Sequence, residues 1–251
     1  MSNETGRRAD GHRASTACRV LATMLTTLVA VWPAGRLSAQ VGHDPATSPF
    51  RDVNTRQALT FYGGRFFGNE SEAGVGAKPG PMIAARFQTR LSGPLDLWFS
   101  FAGVNSQRLV INPDSPLTSR TTGPINYDLV IADMALGFNL TGMKTWHGLA
   151  PYISIGFGIE VPTQERTDPG GYQAHQNFTF IPSIGTRLEL SRSITATFEL
   201  RDYLLRYEWP YAYLHPSNPA VPPVLDPLKY DDKDLTSNLG LTLGLQYRFN
   251  F

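Results

Sequence analysis

An all-β chain, folded as an eight-stranded antiparallel up-and-down transmembrane β-barrel, is what the sequence predicts, on three observations. The stretch 239–251 alternates strictly, with Leu239, Leu241, Leu243, Leu245, Tyr247, Phe249 and Phe251 separated by glycines and polar residues. Period-two alternation marks a strand with one greasy face, and roughly ten residues tilted by about 45° cross a bilayer. Seven further segments repeat that pattern. The connections between them alternate long and short, as barrel loops and turns do.

In order, the expected strands are 57–67, 81–91, 95–104, 127–140, 150–161, 177–190, 194–206 and 235–251, with Gly and Pro punctuating the gaps. Connections 92–94 and 191–193 are three-residue turns and 141–149 is short. Those at 68–80, 105–126, 162–176 and 207–234 are long and rich in Pro, Gly, Asp and Ser. An even number of strands puts both termini on one side, the periplasmic side of a bacterial outer membrane.

Ahead of the barrel, Arg7, Arg8, Arg13 and Arg19 precede the apolar run 20–32, and small residues follow up to Ala39. That is the form of a secretory signal, too short in its core for a membrane anchor. The expected division is therefore a signal peptide at 1–39, a short periplasmic segment at 40–56 and the barrel at 57–251. Cys18 is the only cysteine and precedes the apolar core, so neither lipidation nor a disulfide is expected.

Setting aside the five arginines and two acids of residues 1–39 takes the 22 basic and 21 acidic residues to 17 and 19, a formal net charge of −2. Such a balance gives no reason to expect nucleic acid as a partner. The mean hydropathy of −0.20 looks soluble, as it should when only alternate residues meet lipid.

Two faces follow from the alternation. One carries residues such as Ile83, Phe99, Met134, Ile155, Phe198 and Leu243. The other carries Arg86, Gln88, Arg90, Asp133, Glu160, Arg187, Glu189, Glu199, Arg201 and Arg248. The greasy face is assigned to lipid and the ionic face to a polar lumen network. A soluble lipocalin-like barrel would invert this, but no Gly-x-Trp opens the barrel. Strand 57–67 stays ambiguous, because Arg65 shares a face with Leu59 and Phe61. Trp98, Tyr127, Trp146, Tyr152, Tyr203, Tyr207, Tyr247 and Phe249 gather near strand ends and are expected to form interfacial girdles.

On these residues the chain resembles the eight-stranded outer-membrane β-barrels of the OmpA-like, OmpX-like and OmpW-like group. Its ending LGLTLGLQYRFNF resembles the carboxy-terminal signal of such proteins. The resemblance implies an assembly signal at Leu245, Tyr247, Phe249 and Phe251, read by the barrel assembly machinery. It also implies contact with outer-membrane lipid and lipopolysaccharide, and a monomer.

Within the lumen, Arg187 and Glu189 are expected to face Glu199 and Arg201 across the turn 191–193, because a lone buried charge is costly. Such a network is either a conduction path or a packed plug, and eight strands leave room mostly for side chains. His215-Pro-Ser217-Asn218 resembles part of the lipid A deacylase motif, but it sits in a Pro-rich loop and no glutamate follows it. Asp226, Asp231, Asp232 and Asp234 lack calcium-loop spacing. His43, His147, His175 and His215 lack the spacing of zinc ligands. No cofactor or metal is expected. The expected role is non-enzymatic: structural, adhesive or permeation of small solutes, with a lipid A-modifying enzyme as the alternative.

Overall fold

In the computed structural model, residues 48–53, 55–164 and 166–249 are described. The expected signal peptide at 1–39, Cys18, His43 and Phe251 lie outside them. Residues from Pro49 onward form one compact unit.

Its strands are β1 (Phe50–Asp52), β2 (Gln57–Phe67), β3 (Gly80–Ser92), β4 (Leu95–Val104), β5 (Gln107–Ile111) and β6 (Thr121–Asn126). They continue with β7 (Leu129–Asn139), β8 (Lys144–Trp146), β9 (Leu149–Pro162), β10 (Asn177–Glu189), β11 (Ile194–Glu208) and β12 (Lys233–Phe249). Eight of them pair in the order β2-β3-β4-β7-β9-β10-β11-β12, and β12 returns to β2 through Phe249↔Gln57 up to Leu239↔Phe67. The ring is a closed eight-stranded antiparallel barrel, so no barrel strand is left with an open edge.

Alternation decides the faces. Ile83, Phe101 and Leu243 stand outward, 72%, 65% and 65% exposed, while Thr60, Arg86, Ser100 and Glu199 on the other parity are buried. A protein folded in water would bury the first set. Here it forms a belt around the wall, and hydrocarbon is the environment it fits. Arg65, ambiguous from sequence, points outward near the end of β2.

The two ends differ. At the turn end, β3 and β4 are joined through Gly93, whose φ of +50° a side chain would resist. Beneath the mouth, β1 pairs with β8 inside the 141–149 connection, Phe50 opposite Trp146 and Asp52 opposite Lys144. Arg90 donates to the Val53 carbonyl at 2.9 Å, and the Val53 amide to the Met143 carbonyl at 2.8 Å. Residues 50–53 thus lie across its mouth.

At the loop end the long connections fold together. β5 and β6 form a hairpin, and one turn of helix at Tyr211–Leu214 braces the last loop. Ala73, Val75, Ile111, Tyr172, Trp209, Tyr213 and Leu225, from all four loops, share a core with Leu205 and Tyr207 of β11. Four loops make one cap.

The girdle expectation needs correction. Trp98, Tyr127, Tyr152, Tyr203 and Tyr207 are all at most 2% exposed and face inward, whereas Trp146 and Tyr247 stand outside. Parity is the reason: Trp98 alternates with Leu97 and Phe99, which face lipid, so its ring must enter the lumen.

Candidate functional site: the filled lumen and its cap

The inward parity of β3, β7 and β11 sets four charged side chains at one depth of the barrel. Arg86 donates both terminal nitrogens to the Glu199 carboxylate at 2.7 Å each. Arg201 does the same to Asp133 at 3.0 and 2.8 Å, and its Nε lies 3.1 Å from Glu199. The Tyr152 hydroxyl adds a bond to Glu199 at 2.8 Å. Bidentate geometry and full burial make these charge-assisted bonds strong, and each ion depends on its partner.

Aromatic rings wall this network. The Arg86 guanidinium lies 4.3 Å from the Trp98 ring centroid and 4.8 Å from that of Tyr62. Trp98 meets Tyr152 edge-on at 5.2 Å. Space for Trp98 comes from Gly137, where a Cβ would stand 2.1 Å from the indole. Desolvated cation–π contacts of this kind add to the ion pairs.

Toward the turn end a second polar layer follows. Arg187 donates to Asn139 and lies 3.5 Å from Asp96, while Gln246 donates to Gln88 at 2.7 Å. Arg90 stands 3.6 Å from Asp96, and Arg248 pairs with Glu189. A cavity of about 30 Å³ remains there, lined in part by Val53 and Thr55, with room for about one water.

Toward the loop end the lumen turns apolar. Phe66, Met82, Ile131, Ile181 and Tyr203 are at most 2% exposed and pack into one cluster. Above them the cap has its own buried pair, Arg108 on Asp168 at 2.6 and 2.8 Å, with the guanidinium between the Tyr127 and Tyr172 rings. Burial pushes the Tyr172 and Tyr213 phenols above their ordinary range, since ionising there would forfeit hydration; Arg108 opposes the rise.

Every residue of the expected lumen network therefore points inward, but its pairing differs from expectation. The β10–β11 register sets Arg187 opposite Thr197, Glu189 opposite Thr195 and Glu199 opposite Gly185. The charges of this hairpin are offset by two positions, so Glu199 is met by Arg86 from across the lumen. Among the described residues Glu160 joins no ion pair: it is 1% exposed and its Oε2 has no hydrogen-bond partner. Asp96, Tyr62, Trp98 and the Arg108–Asp168 pair belong to the arrangement and were not anticipated. The parity of Asp96 and Trp98 with Ser100 was the available signal.

The His215–Asn218 motif and His175 lie in the cap, whereas His147 sits at the turn end between β8 and β9. Asp114 accepts the Ser217 and Asn218 amides at 2.6 and 3.3 Å, and His215 packs on Tyr211 at 4.5 Å. This ties the His215–Asn218 turn to the second loop, away from the lipid-facing wall. His175 Nδ1 is engaged by the Gln173 carbonyl at 3.0 Å. Among the described residues no cluster of acids and histidines could hold a metal.

Fold and site together define a transmembrane eight-stranded β-barrel with a packed interior, of the outer-membrane type. No protein-family model and no curated protein matches the chain. Among solved structures it is similar to Neisserial surface protein A, with 9% identity, a TM-score of 0.47, and 80% of this chain and 98% of that one covered. It is also similar to the N-terminal β-barrel domain of Pseudomonas aeruginosa OprF, with 13% identity, a TM-score of 0.42, and 78% and 98% covered. For the Yersinia pestis attachment invasion locus protein Ail the values are 12%, 0.36, 78% and 97%.

Proposed function

We propose that the protein is a non-enzymatic outer-membrane barrel with a structural or adhesive role, displaying its loop cap at the cell surface. One observation carries this reading: between an open pocket of about 740 Å³ at the turn-end mouth, beside Glu189 and Arg248, and the cap, side chains fill the lumen. The polar layers occupy its lower half, the apolar cluster its upper half, and residues 49–53 lie across one mouth. A conduction path needs a continuous wet channel, and a 30 Å³ cavity is far from one.

In this reading the loop end faces outward and both termini are periplasmic. The cap exposes Leu117, Tyr211 and Leu228, side chains that could engage a partner surface. Leu245 and Tyr247 on the outward face of β12, with Phe249 and Phe251 after them, form the assembly signal presented to the barrel assembly machinery. The barrel works as a monomer among outer-membrane lipids.

Purified protein in planar lipid bilayers tests the sealed lumen. The expected record is flat; reproducible single-channel steps would overturn the proposal.

A further inference from the structure

Arg65 is an arginine on a wall meant for lipid. It shares the outward parity of Leu59 and Phe61, two residues before β2 ends. Its guanidinium lies 5.8 Å from the centroid of the Phe67 ring, and no carboxylate pairs with it among the described residues. A cation on the lipid face is tolerated best near the headgroups, where an anion can meet it.

Beside Arg65 a groove of about 570 Å³ opens at the loop end, lined by Lys78, Pro81, Asn105, Gln107 and Asn126 as well. The Lys78 ammonium has only a long contact of 3.7 Å to Glu70. Asp128 also borders the groove, its Oδ1 accepting from Asn105 at 3.3 Å, so the lining carries two cations against one carboxylate. The excess of one positive charge, with amide donors on Gln107 and Asn126, suits a phosphate.

Directly below, toward mid-membrane, the wall is hollowed. Pairing sets Gly63, Ile83 and Gly103 on one rung, and Phe61, Ala85 and Phe101 on the next. A Cβ on Gly63 would meet nothing within 4 Å, and one on Gly103 only the Ile83 side chain at 4.0 Å. Packing inside the protein does not require glycine at either place. The missing side chains leave hollows on both sides of Ile83, floored by backbone and stopped by the Phe61 and Phe101 rings.

We propose that this face holds one phosphate-bearing membrane lipid. Its phosphate sits between Arg65 and Lys78, and an acyl chain lies over Gly63, Ile83 and Gly103. The occupant rests on the outer-membrane reading above, since it needs the loop end to lie at a leaflet surface.

Full-chain protein purified in detergent, mixed with diphosphoryl lipid A or with its dephosphorylated form, is examined by native mass spectrometry. One diphosphoryl lipid should stay bound, about tenfold more often than the dephosphorylated form, and excess inorganic phosphate should not displace it. The Arg65→Gln/Lys78→Gln double variant should lose about tenfold in retention. Gly63→Leu, which leaves both cations in place, should also weaken it. Equal retention of the two lipid forms by the unaltered protein overturns the proposal even if no variant folds. Displacement by inorganic phosphate, or unchanged retention in folded variants, overturns it as well. A protein that conducts yet keeps its lipid overturns the sealed-lumen reading alone; a silent one that ignores the phosphate overturns only this site.

Discussion

Removing the Glu199 carboxylate by Glu199→Gln should destabilise the barrel more than any other single change in the lumen. Glu199 is fully buried and accepts two bonds from Arg86 and one from Tyr152, with Arg201 Nε beside it. Arg201 would keep Asp133, but Arg86 would lose its counter-ion and the bidentate pairing, keeping one bond to the amide oxygen, Ser100 at 3.2 Å and the aromatic faces. Stranding one member of a buried pair costs about 3–5 kcal/mol, which is roughly two to four orders of magnitude in the folding equilibrium. Replacing both members by apolar residues, Arg86→Met with Glu199→Leu, should recover most of that loss, because no buried charge is then abandoned. Equilibrium urea titration in lipid vesicles measures both, with Trp98 fluorescence and the heat-dependent gel shift as readouts. A loss below about 1 kcal/mol for Glu199→Gln, or a double variant no better than the single one, would refute the claim that this pair holds the lumen together.

Four other outcomes are expected. Gly137→Ala drives a methyl into the Trp98 indole and should cost about 1–3 kcal/mol in the same titration, because the packed core cannot absorb it. Glu160→Met removes a buried carboxyl lacking a partner at Oε2 and should stabilise the barrel by about 1–3 kcal/mol. Asp168→Ala strands Arg108 in the cap, so limited proteolysis should cut the long loops faster while the gel shift of the barrel is unchanged. Tyr172 and Tyr213 have raised folded-state pKa values, so their contribution is intact below the ordinary phenol value of 10.0 and is lost as pH rises above it. Protease sensitivity of the cap, but not of the barrel, should therefore climb in alkaline buffer.

Strand by strand, the barrel was legible because lipid-facing parity must be apolar, and a one-residue slip would put Arg86 or Glu199 into hydrocarbon. Strands β2 and β4 begin and end where alternation places them, at Gln57–Phe67 and Leu95–Val104. The same rule, applied to Trp98, would have sent it inward; grouping aromatics by nearness to strand ends hid that. Register was the harder quantity. Glu199 meets Arg86 through closure of the ring, a relation between residues 113 positions apart that no local pattern encodes. The cap was unreadable for a similar reason. Its core takes single residues such as Val75, Ile111 and Leu225 from separate loops, and none of those loops alternates.

Interlocked loops also restrict how this surface can change. Insertions or foreign peptides at Leu117 or Leu228, both fully outside the cap core, should leave the molecule folded, whereas grafts at Tyr172 or Trp209 would unpick it. In the proposed orientation, sequence change at the cell surface would be channelled to a few tips above a packed platform.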